Sequence, residues 1–128
     1  MVVDSSALVA ILREEPGHER LLPKACSGDR TVVGAPVAFE TAMVLSGRWH
    51  RDARSALHGL LRTIGAEIIP FSEEHYEAAV SAFLRYGKGR HPAALNFGDC
   101  MSYAFARVSG LPLLYTSDNF SKTDITSA

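Results

Sequence analysis

Met1-Val2-Val3-Asp4-Ser5-Ser6-Ala7-Leu8 opens the chain with a short apolar run that ends in a carboxylate and passes at once into a helix start. Ser5 and Ser6 offer an N-cap, and residues 7–13 carry good helix formers up to the stop signal Glu14-Glu15-Pro16-Gly17. This hand-over from strand to helix recurs along the chain. A second helix is expected over residues 18–25, weakened by Pro23. Residues 31–33 form a β-branched run between Gly28-Asp29 and Gly34, and a helix with Pro36 in its first turn follows from 35 to about 48. Residues 53–64 read as an amphipathic helix ended by Gly65, and 67–71 as a strand. Ser72-Glu73-Glu74 opens a helix to about residue 86 in good capping style. Residues 87–96 form a loop rich in Gly, Pro and basic side chains. Residues 97–109 are helical, 113–116 give a fourth strand, and the tail offers one more short strand near 124–126. Strands separated by helices need crossover connections, hence a mainly parallel sheet covered on both faces. The expected fold is a three-layer α/β/α sandwich with a four- to five-stranded sheet, in one domain over residues 1–128.

Composition fits that reading. A chain of 128 residues with 47% apolar and 21% charged side chains can build one core, which argues against disorder, collagen and coiled coil. Thirteen Lys and Arg against fourteen Asp and Glu leave a net charge of −1, so no general basicity announces a nucleic-acid partner. Cys26 and Cys100 lie far apart and match no disulfide or CxxC pattern. The N-terminus lacks the basic segment of a signal peptide, and no apolar run approaches the roughly 20 residues that span a bilayer. A reducing cytoplasm is the expected compartment.

Ligands of open parallel sheets gather at the carboxyl ends of the strands. Asp4 closes the first strand, and Asp118 follows shortly after the fourth; capping or turn formation alone would explain either. Glu40 is harder to dismiss. The stripe Val37, Glu40, Thr41, Val44, Leu45 follows helical spacing, so Glu40 shares the apolar face directed at the sheet. A carboxylate there needs a cation or an ion pair with one of the ten arginines. Asp99 opens a largely apolar helix containing Phe97, Cys100, Met101, Tyr103, Ala104 and Phe105, where capping is again the plain alternative. Four carboxylates from four segments can thus converge at one end of the sheet. They would repel one another unless a divalent cation intervened, and oxygen-only ligands suit Mg²⁺ or Mn²⁺. Hard ions of this kind activate water and stabilise displacement at phosphate.

Charge placement agrees with a phosphate partner. Arg85, Lys88, Arg90 and His91 fall in an acid-free stretch between Glu77 and Asp99. Between Thr41 and Ile64, Asp52 is the one acid against Arg48, Arg51, Arg54 and Arg62. Such strips suit a nucleic-acid backbone, although solvated helix faces are also built this way. Other chemistries lack their residues: there is no HExxH, Cys/His cluster, GxSxG, P-loop or GxGxxG. Gly87-Lys88-Gly89 lacks the strand and Ser/Thr of a phosphate loop, and Cys100 reads as a small core residue.

Val2-Val3-Asp4-Ser5-Ser6-Ala7-Leu8 resembles the opening of PIN-domain proteins, and Phe39-Glu40-Thr41-Ala42 resembles the helix that carries their second acid. Tyr86-Gly87-Lys88-Gly89-Arg90-His91-Pro92-Ala93-Ala94-Leu95-Asn96-Phe97-Gly98-Asp99-Cys100 resembles the stretch before the third acid in VapC-type toxins. Leu113-Leu114-Tyr115 and Phe120-Ser121-Lys122-Thr123-Asp124-Ile125 are similar to their C-terminal segment. The resemblance implies a Mg²⁺- or Mn²⁺-dependent endoribonuclease, the toxin of a toxin–antitoxin pair, acting as a homodimer and restrained by a cognate antitoxin. It maps Asp4, Glu40 and Asp99 onto metal-binding acids and Ser6 onto the hydroxyl supporting the first. The family commonly has its fourth acid immediately before the Phe. Here Asn119 holds that place and Asp118 sits one residue earlier, so the role passes to Asp118, with Asp124 as a second candidate.

The expected activity is RNA phosphodiester hydrolysis, with Asp4, Glu40, Asp99 and Asp118 at the metal site and Arg85, Lys88 and Arg90 steering the RNA backbone. The rival is a PIN-like module that binds RNA or a protein partner without cleavage, because the order Asp118-Asn119 leaves the acid set incomplete. A phosphoacceptor receiver domain is disfavoured: only Asp52, inside a basic helical stretch, stands where its acceptor Asp should follow a strand.

Overall fold

The computed structural model describes residues 1–128. Four strands, β1 (Val2–Val3), β2 (Thr31–Gly34), β3 (Ala66–Ile69) and β4 (Leu113–Leu114), form one sheet in the order β3-β2-β1-β4. Every neighbouring pair is parallel, with Val2 opposite Val32 and Leu113, and Thr31 through Gly34 opposite Ala66 through Ile69. Parallel neighbours cannot be joined by tight turns, and helices make the crossovers. They are α1 (Ser5–Leu12), α2 (His18–Cys26), α3 (Ala35–Trp49), α4 (Arg54–Thr63), α5 (Glu73–Tyr86) and α6 (Phe97–Ser109). The α/β architecture read from the sequence is the one observed. No helix is long and apolar enough to cross a membrane.

The two central strands are sealed on both faces, which is why they read as unbroken apolar runs rather than alternating ones. Val2, Val3, Val32 and Val33 are all buried, whereas edge strand β3 leaves Ile68 44% exposed. Strand β2 ends where the ring of Phe105 from α6 crosses it. A Cβ on Gly34 would lie 1.9 Å from that ring, so only glycine permits the approach. Strand β3 stops before Pro70, which has no N–H for the ladder. Helix α2 accommodates Pro23 in its interior and still runs to Cys26, anchored by the buried Ala25.

The C-terminal region differs from the expectation. Strand β4 is two residues long instead of covering 113–116, because the Thr116 N–H turns away to donate to Ser6 Oγ at 3.1 Å. Residues Phe120–Lys122 form a short 3₁₀ turn, and the tail meets the sheet through a single bridge between Leu113 and Ser127. A fifth strand at 124–126 does not form; the Asp124 side chain is instead tied to Tyr103 by a 2.7 Å hydrogen bond.

Candidate active site

The carboxyl ends of β1, β2 and β4 and the start of α6 meet at one edge of the molecule. Asp4 leaves β1 in an extended conformation and caps α1, accepting the Ser6 N–H at 2.9 Å. Capping alone does not account for it. The Ser6 hydroxyl also donates to Oδ2, and the hydroxyl of Ser102 from α6 donates to Oδ1, each at 2.5 Å. Asp4 is 3% exposed and Ser102 fully buried, so both carboxylate oxygens are held by protein donors inside the fold. Ser6 accepts the Thr116 N–H in turn, which links the end of β4 to the same carboxylate.

Glu40 lies half-buried in α3 with its carboxylate against the first turn of α6. A Cβ at Gly98 would stand 2.7 Å from Glu40 Oε2, so glycine there leaves the room that the acid fills. Burial pushes the Glu40 pKa up, the charges of Asp4 and Asp99 push it further, and the Ser5 hydroxyl acts in the opposite direction. Asp99 is the third residue of α6 and forms a reciprocal capping box with Asn96, at 2.9 Å and 3.0 Å. Its Oδ2 also accepts the Asn119 amide at 3.1 Å. Burial raises its pKa and the Asp4 charge adds to this, while the bonds from Asn96 and Asn119 hold it back.

None of Asp4, Glu40 and Asp99 has a Lys, Arg or His within ion-pair distance. The ion pair that would have explained Glu40 blandly is therefore not made. Three carboxylates from three elements sit within mutual electrostatic reach with hydroxyls and amides as their only partners. As they stand, no group of three or more His, Cys, Asp or Glu side chains is gathered tightly enough to grip an ion. The donor set nevertheless suits a hard divalent cation: it is all oxygen, anionic and free of competing bases. On the loop between Thr116 and Asn119, Ser117 Oγ is the one buried side-chain polar atom with no partner.

The remaining sequence candidates fall elsewhere. Asp118 is exposed, and its carboxylate makes no hydrogen bond or ion pair; the residue that reaches Asp99 is Asn119. Asp124 is engaged by Tyr103, Arg85 and Arg107, at 2.7, 3.3 and 3.8 Å. Arg85 is thus paired, and it also lies over the ring of Tyr86. Lys88 is exposed without an ion pair, and Arg90 stacks on Phe83. The two share a compact loop closed by the bridge between Gly87 and Leu95 and by His91 packing on Tyr86. Burial, with the Asp99 charge beside it, pushes the Cys100 thiol up to about 11, so it is no nucleophile. Ser102, which donates to Asp4, is the member of this cluster that the sequence reading missed. Its contact with Asp4 spans 98 positions, and no local pattern in the sequence signals it.

Comparison with known proteins identifies the family. The family model for the PIN domain matches residues 1–125. The chain is 44% identical over 126 residues to ribonuclease VapC36 of Mycobacterium tuberculosis, covering 98% of this chain and 91% of that protein. It is 42% identical over 126 residues to ribonuclease VapC of Mycolicibacterium smegmatis, covering 98% and 97%. The fold is similar to that of M. tuberculosis VapC20, a sarcin–ricin loop cleaving toxin, with a TM-score of 0.77 at 20% identity over 99% and 97% of the two chains. It is also similar to a chain of a toxin–antitoxin complex from Klebsiella pneumoniae, with a TM-score of 0.74 at 17% identity over 99% and 95%. With this arrangement of acids and these full-length matches, the chain belongs to the PIN-domain family and, within it, to the VapC ribonucleases.

Proposed function

We propose that this protein is an endoribonuclease toxin of a toxin–antitoxin pair that hydrolyses RNA phosphodiester bonds with Mg²⁺ or Mn²⁺. The observation that carries this reading is the set of three carboxylates, Asp4, Glu40 and Asp99, left without a basic partner at the carboxyl edge of the sheet. Asp4 and Asp99 would hold the cation, with Glu40 alongside. When bound, that cation supplies Lewis-acid stabilisation of the charge that develops on a scissile phosphate. The chain's own residues do the rest. Ser6 and Ser102 fix the Asp4 carboxylate so that it need not reorganise during turnover. Glu40, whose proton affinity is raised, is suited to accept the proton that an attacking water gives up. Lys88 and Arg90 present positive charge on a braced loop that leads into α6, where they can track the RNA backbone; Arg85 joins them only if Asp124 releases it. Asp118 is kept as an outlying acid whose removal costs less than removal of Asp99.

The partners follow the same reading: an antitoxin that covers the site and a second copy of the chain. Exposed Phe39, Met43 and Phe97 beside Glu40 and Asp99 support a protein partner here, since Phe97 alone is 82% exposed. Mapping cleavage ends on total cellular RNA after induced expression tests the activity. New 5′ ends are expected with the native chain and not with Asp99→Ala; the same ends from both would contradict it.

A further inference from the structure

We propose that Asn119 is a positioning residue that keeps Asp99 in place without a cation, and that its neutrality limits how tightly the site takes a divalent ion. The proposal rests on the reading above in which Asp4 and Asp99 hold the cation. Asn119 donates its side-chain amide to Asp99 Oδ2 at 3.1 Å, and Asn96 N–H donates to the same oxygen at 3.0 Å. Asp99 Oδ1 is left without a protein donor. The amide is delivered by a braced turn. Phe120 next to it is fully buried and packs 5.0 Å from the ring of Tyr115. Ser121 Oγ closes the turn onto the Asp118 carbonyl at 2.6 Å, and Thr123 Oγ1 onto that of Phe120 at 2.7 Å.

A carboxylate has the shape of this amide but no N–H. At position 119 it would set acceptor against acceptor at the same distance, beside an acid already facing the charge of Asp4. Such a contact is stable at neutral pH only with a cation, or a proton shared at a raised pKa, between the two. Asparagine replaces that requirement with a hydrogen bond, so the metal-free site is ordered, and it removes one negative charge that would otherwise attract the ion. The neighbouring Asp118 does not restore that charge at Asp99, since its carboxylate is exposed and makes no contact with the group.

Asn119→Asp changes charge at constant shape, and Asn119→Ala removes the donor without adding charge. Thermal unfolding of the native chain and both variants in EDTA and in saturating Mn²⁺, with calorimetric Mn²⁺ titration, tests the proposal. In EDTA, Asn119→Asp is expected to melt about 3–5 °C or more below the native chain, and Asn119→Ala by less. Mn²⁺ should raise the midpoint of Asn119→Asp by more than that of the native chain, with binding at least about tenfold tighter. Asn119→Ala should bind Mn²⁺ more weakly than the native chain. An Asn119→Asp variant as stable as the native chain in EDTA, equal Mn²⁺ responses in the two, or unchanged binding in Asn119→Ala would each overturn it. Binding by Asn119→Asp alone would support the role of Asn119 while contradicting metal use by the native chain; binding by neither would overturn both.

Discussion

Asp4 is a charged side chain almost wholly withdrawn from water, and three donors make that tolerable: Ser6 N–H, the Ser6 hydroxyl and the Ser102 hydroxyl. Removing one donor leaves part of a buried charge unsatisfied, which is the expensive way to break a hydrogen bond. Ser102→Ala is therefore expected to destabilise the fold by about 1.5–3 kcal/mol, measured by urea unfolding. An unfolding midpoint equal to that of the native chain would mean that Asp4 is held by its cap alone. The sequence made the three acids legible because each breaks a local rule: a carboxylate ending an apolar strand, one on an apolar helix stripe, one opening a buried helix. Ser102 broke none, since a small residue on a buried helix face is ordinary. Its meaning lies in a contact across 98 positions that no local pattern encodes. Asn119 was visible as a departure from the family pattern, but its bond to Asp99 was not, because it depends on how the turn after β4 closes.

At the scale of elements, strand–helix alternation was readable from capping residues and apolar runs, and the C-terminal tail was not. Thr126 and its neighbours have the composition of a strand. What decides the tail is a side-chain clamp: Asp124 accepts from Tyr103 of α6 and pairs with Arg85 of α5 and Arg107 of α6. Burial works against the Asp124 charge, but the Tyr103 hydroxyl and the two arginines outweigh it and hold the carboxyl below its usual range. Tyr103 is affected in the other direction, pushed up to about 12 by burial and by its bond to Asp124. For Asp124 the folded pKa is depressed. Its contribution is therefore present above the ordinary value of 3.8 and is lost as pH falls through the folded one. Asp124→Asn should be less stable than the native chain at pH 7, and the gap should close as the pH is lowered below about 4 in parallel urea titrations. A gap that is constant with pH would remove the charge from this account of the clamp.

Over the whole molecule, a net charge of −1 conceals a separation: acids gathered at one edge of a parallel sheet, and exposed cationic side chains on the loop that feeds α6. The sheet makes that separation possible because parallel strands deliver their carboxyl ends to the same side. Residues 36 positions or more apart thus become neighbours, although Asp4, Glu40 and Asp99 come from α1's cap, α3 and α6. The charges of Asp4 and Asp99 add to the burial that raises the proton affinity of Glu40, and the charge of Asp4 adds to the burial that raises that of Asp99. The central claim is that these three acids form the metal site of a ribonuclease. The most direct measurement is the rate of cleavage of a defined RNA against Mn²⁺ concentration, for the native chain and Asp99→Ala, with folding checked by circular dichroism. The expected result is a saturable, Mn²⁺-dependent rate in the native chain that is abolished by EDTA and falls by at least about a hundredfold in the folded variant. Cleavage that persists in EDTA, or that Asp99→Ala performs at the native rate, would contradict it.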